Sequence, residues 1–309
     1  MIALVFPGQG SQAVGMGKEL FARFPESKAV FEAADDALGE KLSRLCFEGP
    51  EDQLKLTANT QPAILAASVA VHAAFAKRGP APAFVAGHSL GEYSALVAAG
   101  AMPLQDAVKA VRARGTFMQE AVPAGVGAMA AVLGLVPEKV LEACERAREG
   151  EVLSPANYNS PEQTVIAGHA AAVKRAEPLL KEAGAKKVVP LQVSAPFHCA
   201  LMEPVKARLK EALQAVPFRA PACPVVTNVE GAPNQDPARI LPLLLEQVTH
   251  PVRWIECVQA MEKAGVTRIV ELGPGKVLAG LVKRISKQIQ VFNVEGEATL
   301  SKVLAELGA

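Results

Sequence analysis

Aromatic side chains are scarce: one Trp, two Tyr and eleven Phe make 5% of 309 residues. The core must therefore be assembled from Ala, Val, Leu and Ile rather than around large rings. A surplus of either charge is missing as well. Lys and Arg number 32 against 31 Asp and Glu, a formal net charge of +1, which argues against nucleic acid or a membrane as partner, since both usually demand a basic surplus. The cysteines (Cys46, Cys144, Cys199, Cys223, Cys257) are scattered, odd in number and without a C-x-x-C pair. Neither a disulfide framework nor a thiolate zinc site reads out of them. No apolar run reaches the roughly 20 residues of a membrane span; the longest, over 63–76, is interrupted by Ser68 and His72. Residues 1–6 lack a basic n-region, and Pro7-Gly8 ends them too early for a signal peptide. A cytoplasmic, soluble enzyme is the expectation these absences leave.

What is present suits a buried core. Half the chain is hydrophobic and a fifth is charged, which excludes wholesale disorder. At roughly 150 residues per domain the length allows one large domain or two unequal ones. Short β-branched runs at 2–6, 83–86, 225–228, 267–272 and 290–292 alternate with helical patterns near 18–38, 62–78, 90–99, 104–120, 203–216, 237–247, 252–264 and 276–286. Such alternation predicts an α/β fold with a mostly parallel sheet covered by helices on both faces. One stretch departs from it: strand 127–133, helix 137–149, strand 152–156, strand 163–167, helix 170–183, strand 187–191. That β-α-β-β-α-β order is the split βαβ pattern of a ferredoxin-like unit. Residues 1–123 and 192–309 are thus expected to form a large catalytic subdomain and 124–191 a small inserted one, with a substrate cleft between them.

The strongest chemical motif is Gly87-His88-Ser89-Leu90-Gly91, between a predicted strand and a predicted helix. This is G-x-S-x-G in the setting of a nucleophile elbow, where two glycines permit a sharp turn that exposes the serine hydroxyl. The Leu90 amide, at the helix start, points where an oxyanion would develop. Five histidines compete as base. His88 adjoins Ser89 and diverges from it; His72 lies within an Ala-rich helix; His169 and His250 sit at a helix start and a turn. His198, just after the small subdomain returns to the main sheet, is the candidate at the cleft, an ordinary loop histidine being the alternative. A Ser-Asp/Glu-His order is expected of hydrolases with this elbow, yet the only Asp between Ser89 and His198 is Asp106. Either a carboxylate from elsewhere orients the histidine or a neutral acceptor does.

Arg114 is anomalous. Leu104, Ala107, Val111 and Met118 form the apolar stripe of helix 104–120, and Arg114 falls inside it with no carboxylate three or four residues away. A buried unpaired guanidinium costs several kcal/mol, so a distant Asp or Glu, or the carboxylate of a substrate, must meet it. After the first strand, Gly8-Gln9-Gly10 satisfies a dinucleotide fingerprint only nominally, because the second strand ending in an acidic residue is missing. A glycine loop presenting the Gln9 amide as a second oxyanion donor fits better, with a plain turn as its alternative. Gly273-Pro-Gly-Lys276 lacks the spacing of a Walker A loop.

Taken in order, Phe6-Pro-Gly-Gln-Gly-Ser-Gln12, Gln61-Pro62, Gly87-His-Ser-Leu-Gly-Glu-Tyr-Ser94, Arg114, Asn157-Tyr-Asn-Ser-Pro161, Ser194-Ala-Pro-Phe-His198, Gln247, Pro251-Val-Arg-Trp254 and Glu271-Leu-Gly-Pro-Gly-Lys276 resemble the malonyl-CoA:acyl carrier protein transacylases of the discrete bacterial type, over essentially the whole chain. The resemblance implies a hydrolase-like α/β core with an inserted ferredoxin-like subdomain. It implies Ser89 as the residue acylated, His198 as base, and the amides of Gln9 and Leu90 as oxyanion hole. Arg114 would grip the free carboxylate of malonate, and the main-chain carbonyl of Gln247 would orient the histidine, accounting for the absent Asp. Leu90 and Phe197 stand where methylmalonyl-using members tend to carry Gln and Ser, which favours malonyl; Ala195-Pro196 departs from the common multidomain form.

The reaction implied is ping-pong transfer from malonyl-CoA to the phosphopantetheine thiol of acyl carrier protein, with no metal or redox cofactor. The carrier, being acidic, would meet a basic patch near the cleft that includes Lys186 and Lys187 or Arg284. A serine thioesterase or esterase with the same elbow is the alternative; a non-enzymatic or dinucleotide-binding module is a third reading.

Overall fold

The structure, a computed structural model, describes residues 1–123, 125–193 and 195–308. Ala124, at the expected start of the small subdomain, and Ser194, in the motif before His198, lie outside the described residues. The strands are β1 (Ile2–Phe6), β2 (Phe84–Gly87), β3 (Gly127–Leu133), β4 (Leu153–Ser160), β5 (Gln163–His169), β6 (Lys187–Pro190), β7 (Val225–Val226), β8 (Pro233–Asn234), β9 (Arg268–Leu272) and β10 (Gln290–Val294). The helices are α1 (Lys18–Arg23), α2 (Pro25–Leu38), α3 (Leu42–Glu48), α4 (Glu51–Leu54), α5 (Thr57–Ala76), α6 (Gly91–Ala98), α7 (Leu104–Glu120), α8 (Pro137–Ala147), α9 (Ala170–Glu182), α10 (Glu203–Leu213), α11 (Pro237–Gln247), α12 (Trp254–Lys263), α13 (Val277–Ile285) and α14 (Glu297–Leu307).

Two sheets result. The larger runs β10-β9-β1-β2-β7-β8, parallel throughout except for the antiparallel edge pair β7–β8. β1 is buried along its whole length, as a strand covered on both faces must be. Successive side chains alternate between two cores: Leu4 and Phe6 join the one beneath α2, α5 and α7, while Ala3 and Val5 join the one beneath α12 and α13. The smaller sheet, order β4-β5-β3-β6, is antiparallel and packs on α8 and α9 through Val132, Val140, Ile166 and Leu180. This is the ferredoxin-like strand order expected of its sequence pattern.

Several boundaries differ from expectation for identifiable reasons. The helix expected over 18–38 breaks at Phe24, which is extended (φ −120°, ψ 116°), because Pro25 drives its predecessor out of the helical region. Helix α5 begins five residues before Pro62 and accepts that proline in its second turn. The strand expected over 225–228 keeps only two residues; Thr227 and Asn228 turn away through the Gly231 N–H to Thr227 carbonyl and Thr227 N–H to Ala232 carbonyl bonds. β4 continues to Ser160, four residues past its expected end, through irregular pairing at Pro155/Asn157 and Tyr158/Ser160. The short α3, α4 and β8 carry too few residues to show a periodicity.

The sheets meet beside β4. The Val252 N–H donates to the Ala156 carbonyl (2.8 Å) and the Tyr158 N–H donates to the Val252 carbonyl (2.9 Å). Hydrogen bonds thus join the smaller sheet to the segment just after α11.

Candidate active site

Ser89 stands at the turn between β2 and α6, beyond the carboxyl end of a central parallel strand, where open α/β sheets place their ligands. The turn is tight enough to require both glycines. A Cβ on Gly87 would lie 1.9 Å from the Gly91 carbonyl, and one on Gly91 would lie 2.2 Å from the Phe6 carbonyl oxygen. Ser89 itself takes φ 54°, in the left-handed region that disfavours a side chain. Its backbone is held there by Asn228. The Ser89 N–H donates to Asn228 Oδ1 (2.7 Å), and Asn228 Nδ2 donates to the Gly87 carbonyl (2.7 Å).

The Ser89 hydroxyl meets two partners, His198 Nε2 at 2.8 Å and Arg114 Nη2 at 3.1 Å. His198 Nδ1 lies 2.8 Å from the main-chain carbonyl of Gln247. A carbonyl only accepts, so Nδ1 carries the proton and Nε2 offers its lone pair to the serine. No carboxylate enters this arrangement; of the two alternatives left open by the missing Asp, the neutral acceptor occupies the place. Burial, and next the Arg114 charge, push the His198 pKa down to about 3, so the imidazole is neutral at ordinary pH. The other histidines stand elsewhere. His88 Nε2 lies 2.8 Å from Asn159 Oδ1 with its ring against Trp254; His72 lies edge-on to Phe6; His169 Nδ1 accepts from the Val152 N–H; His250 lies beside Glu246.

Arg114 is 1% exposed and, among the described residues, forms no ion pair. Nη1 donates to Gln61 Oε1 (2.8 Å) and Nη2 to Gln247 Oε1 (2.9 Å) as well as to Ser89, while Nε is buried without a partner among the described residues. The distant carboxylate that the sequence left open as its partner does not reach it. Gly115 lets this happen: a Cβ there would lie 2.6 Å from the Thr57 carbonyl oxygen, so only glycine allows α7 so close to the start of α5, where Gln61 resides. Gln9, after β1, is brought beside the elbow by the contact of Gly8 with the His88 carbonyl, 2.5 Å from where a Cβ would stand. Its side chain donates to Thr57 Oγ1 (3.2 Å). The main-chain N–H groups of Gln9 and Leu90 donate to no main-chain acceptor among the described residues.

A cavity of about 230 Å³ is lined by His88, the residue before the serine, and Gln9, by Asn159 and Gln163 of the smaller sheet, and by Leu278 and Leu281 of α13; Ser89, His198 and Arg114 do not line it. Farther along α13 a groove of about 560 Å³ carries Lys186, Arg284 and Lys287. Arg284 Nη1 donates to Gln163 Oε1 (3.0 Å), so the two depressions share a wall. Among the described residues no cluster of His, Cys, Asp or Glu could hold a metal, and no helix is long and apolar enough to cross a membrane.

Sequence reasoning gave no role to Asn228, Gln61, Asn159 or Glu92. Glu92 carried a signal, being the one charged residue of α6, whereas Gln61 follows the polar run Thr57-Ala-Asn-Thr60 and did not stand out. Asn228 carried none, because its reach depends on how β7 ends.

The acyl transferase domain family matches residues 3–303. The malonyl CoA-acyl carrier protein transacylase of Bacillus subtilis is 48% identical over 99% of this chain and 97% of its own. The crystal structure of an acyl carrier protein S-malonyltransferase from Vibrio cholerae superposes with a TM-score of 0.96 at 50% identity, covering 98% of this chain and 99% of that one. A malonyl-transacylase in complex with a type II polyketide synthase acyl carrier protein superposes equally well (TM-score 0.96, 46% identity, 99% of both chains). The chain belongs to the acyl transferase domain family.

Proposed function

We propose that this chain transfers a malonyl group from malonyl-CoA to the phosphopantetheine thiol of an acyl carrier protein through a malonyl ester of Ser89. One observation carries the reading: a single serine hydroxyl lies 2.8 Å from a neutral imidazole and 3.1 Å from a buried guanidinium without an ion pair. The imidazole activates an acyl acceptor, and the guanidinium selects a donor with a second, anionic end.

In the first half-reaction Ser89 Oγ attacks the thioester carbonyl carbon while His198 Nε2 takes the hydroxyl proton. The carbonyl electron pair moves onto oxygen, facing the Gln9 and Leu90 amides; oxyanion donors of this kind contribute about 2.7–4 kcal/mol each. When that pair returns, the carbon–sulfur bond breaks and the CoA sulfur leaves with the proton held by His198. Ser89 Oγ is then an ester oxygen, a poorer acceptor than a hydroxyl, so the Arg114 Nη2–H turns its hydrogen bond to the malonyl carboxylate while the proton stays on the guanidinium. In the second half the carrier thiol loses its proton to His198, attacks the ester carbonyl and expels Ser89, which recovers the proton. Atoms and electrons balance without metal or redox cofactor. The groove with Lys186, Arg284 and Lys287 suits an acidic carrier standing over the cavity, and a cytoplasmic setting suits both substrates. Leu90 and Phe197, the residue types that favour malonyl over methylmalonyl, are both buried.

Intact mass after brief exposure to malonyl-CoA tests this directly. The native chain should gain one malonyl group and Ser89→Ala none; an unmodified native chain, or a modified alanine variant, refutes the assignment. Steady release of free malonate with no carrier thiol present would mark a hydrolase instead.

A further inference from the structure

Glu92 lies one turn beyond the nucleophile, 2% exposed, in the apolar helix α6. The mechanism above gives it nothing to do. One of its oxygens, Oε2, nonetheless accepts from two residues of the site: the Gln247 side-chain amide (Nε2, 2.8 Å) and the Asn228 main-chain N–H (3.0 Å). Each of these fixes something further. Gln247 presents its side-chain oxygen to Arg114 and its main-chain oxygen to His198, and its amide also donates to the Ser89 carbonyl (3.1 Å). Asn228 holds the Ser89 N–H and the Gly87 carbonyl.

Resting on the transfer reaction just described, we propose that Glu92 is a positioning residue: a single carboxylate oxygen sets the registry of the serine, its base and the guanidinium through Gln247 and Asn228. Guanidinium N–H groups only donate, so Gln247 must turn its oxygen toward Arg114, and its NH₂ then needs an acceptor on the opposite side. Glu92 is the nearest such acceptor and the only carboxylate there. Without it, a buried amide NH₂ loses its shortest hydrogen bond and a buried main-chain N–H loses the only one it makes. The freed Gln247 then shifts the His198 and Arg114 contacts together, because both run through that one residue.

Two variants separate positioning from mere packing. Glu92→Gln keeps an oxygen able to accept both bonds, whereas Glu92→Leu removes it at similar bulk. Ser89 reactivity toward a fluorophosphonate probe reads the serine–imidazole registry independently of any acyl donor. Malonyl-CoA and acetyl-CoA loading, read by intact mass, then report the guanidinium. Glu92→Leu should label and load malonyl on the order of 10–100-fold more slowly, the effect of losing a hydrogen bond to a charged group, with acetyl loading reduced less. Glu92→Gln should stay within about threefold of the parent, a difference well under one such bond. If Glu92→Leu does not fold, Glu92→Asp takes its place: the charge is kept but withdrawn by one methylene, and slow labelling with unchanged circular dichroism is expected. Parent-like labelling in Glu92→Leu or Glu92→Asp, or Glu92→Gln as slow as either, overturns the proposal. A parent chain that labels with the probe yet takes no malonyl refutes the transfer reaction, and the labelling comparison still decides the role of Glu92.

Discussion

Replacing Arg114 by alanine removes a charge that meets only neutral partners, Gln61, Gln247 and the Ser89 hydroxyl. An acetyl donor leaves that guanidinium desolvated and unpaired, whereas a malonyl donor supplies its counter-ion; truncating one member of such a buried pair costs on the order of 2–5 kcal/mol. Malonyl loading of Ser89 in Arg114→Ala should therefore fall by at least tenfold more than acetyl loading, at about 1.4 kcal/mol per tenfold. Equal losses with both donors would make Arg114 a structural residue. The same variant carries a pH signature. The guanidinium is one of the causes that hold the His198 imidazolium down, so its removal raises the imidazole pKa, and the acid limb of acetyl loading should move to higher pH. At this scale the sequence was informative wherever a residue broke its own pattern. Arg114 interrupts an apolar stripe, and Ser89 sits between the two glycines of an elbow. The partners of Arg114 were not legible, since they arrive from α5 and α11, 53 and 133 residues away.

Among elements, the β2–α6 turn is under strain, as are the backbones at His198 (φ 59°) and Glu149 (φ 45°). Ser89 holds a positive φ, and such a conformation persists only where its surroundings over-determine it. Asn228, on the turn after β7, supplies that restraint with two 2.7 Å bonds. Asn228→Ala leaves a buried N–H and a buried carbonyl unpaired, at about 1–3 kcal/mol each. Melting should drop by several degrees, with Ser89 loading slower on the order of tenfold; an unchanged loading rate would show that the two glycines alone fix the turn. Periodicity located most helices and the order of strands in both sheets' sequence, because apolar repeats report burial directly. It missed the break at Phe24, although Pro25 announced it, and the shortening of β7, which hydrogen bonds of the Thr227–Ala232 turn decide.

Over the whole molecule, two buried carboxyls and the buried histidines set the response of stability to pH. Burial pushes Glu271, which accepts the Leu278 and Ala279 N–H groups at the start of α13, up to about 7, and Glu92 likewise to about 7. A carboxyl whose pKa is higher folded than unfolded contributes stability that is fully present below its ordinary value of 4.5 and is lost as pH rises through 7. His72 and His198, held down to about 4 and 3, act oppositely, but only as pH falls below their ordinary 6.5. From about pH 6.5, where the unfolded histidines have largely lost their protons, to about pH 7, where the folded carboxyls lose theirs, the melting temperature should decline with rising pH and then level off. In Glu271→Gln that decline should be shallower; an unaltered slope would place the titration elsewhere. That the chain folds around two sheets was legible from its strand and helix order. How the sheets are joined was not: the main-chain bonds to Val252 are indifferent to side chains, and the His88–Asn159 and Arg284–Gln163 bonds pair residues 71 and 121 positions apart.

Those bonds sit five residues past Gln247, whose carbonyl seats the His198 ring. The antiparallel sheet is thereby hitched to the peptide that steers the imidazole and, separately, through Asn159 Oδ1 and His88 Nε2 (2.8 Å), to the residue before the nucleophile. Any rocking of that sheet, by heat or by a molecule leaning on its outer face, reaches the proton acceptor and the nucleophile by two different routes, so the spacing between the two is the quantity such a motion adjusts.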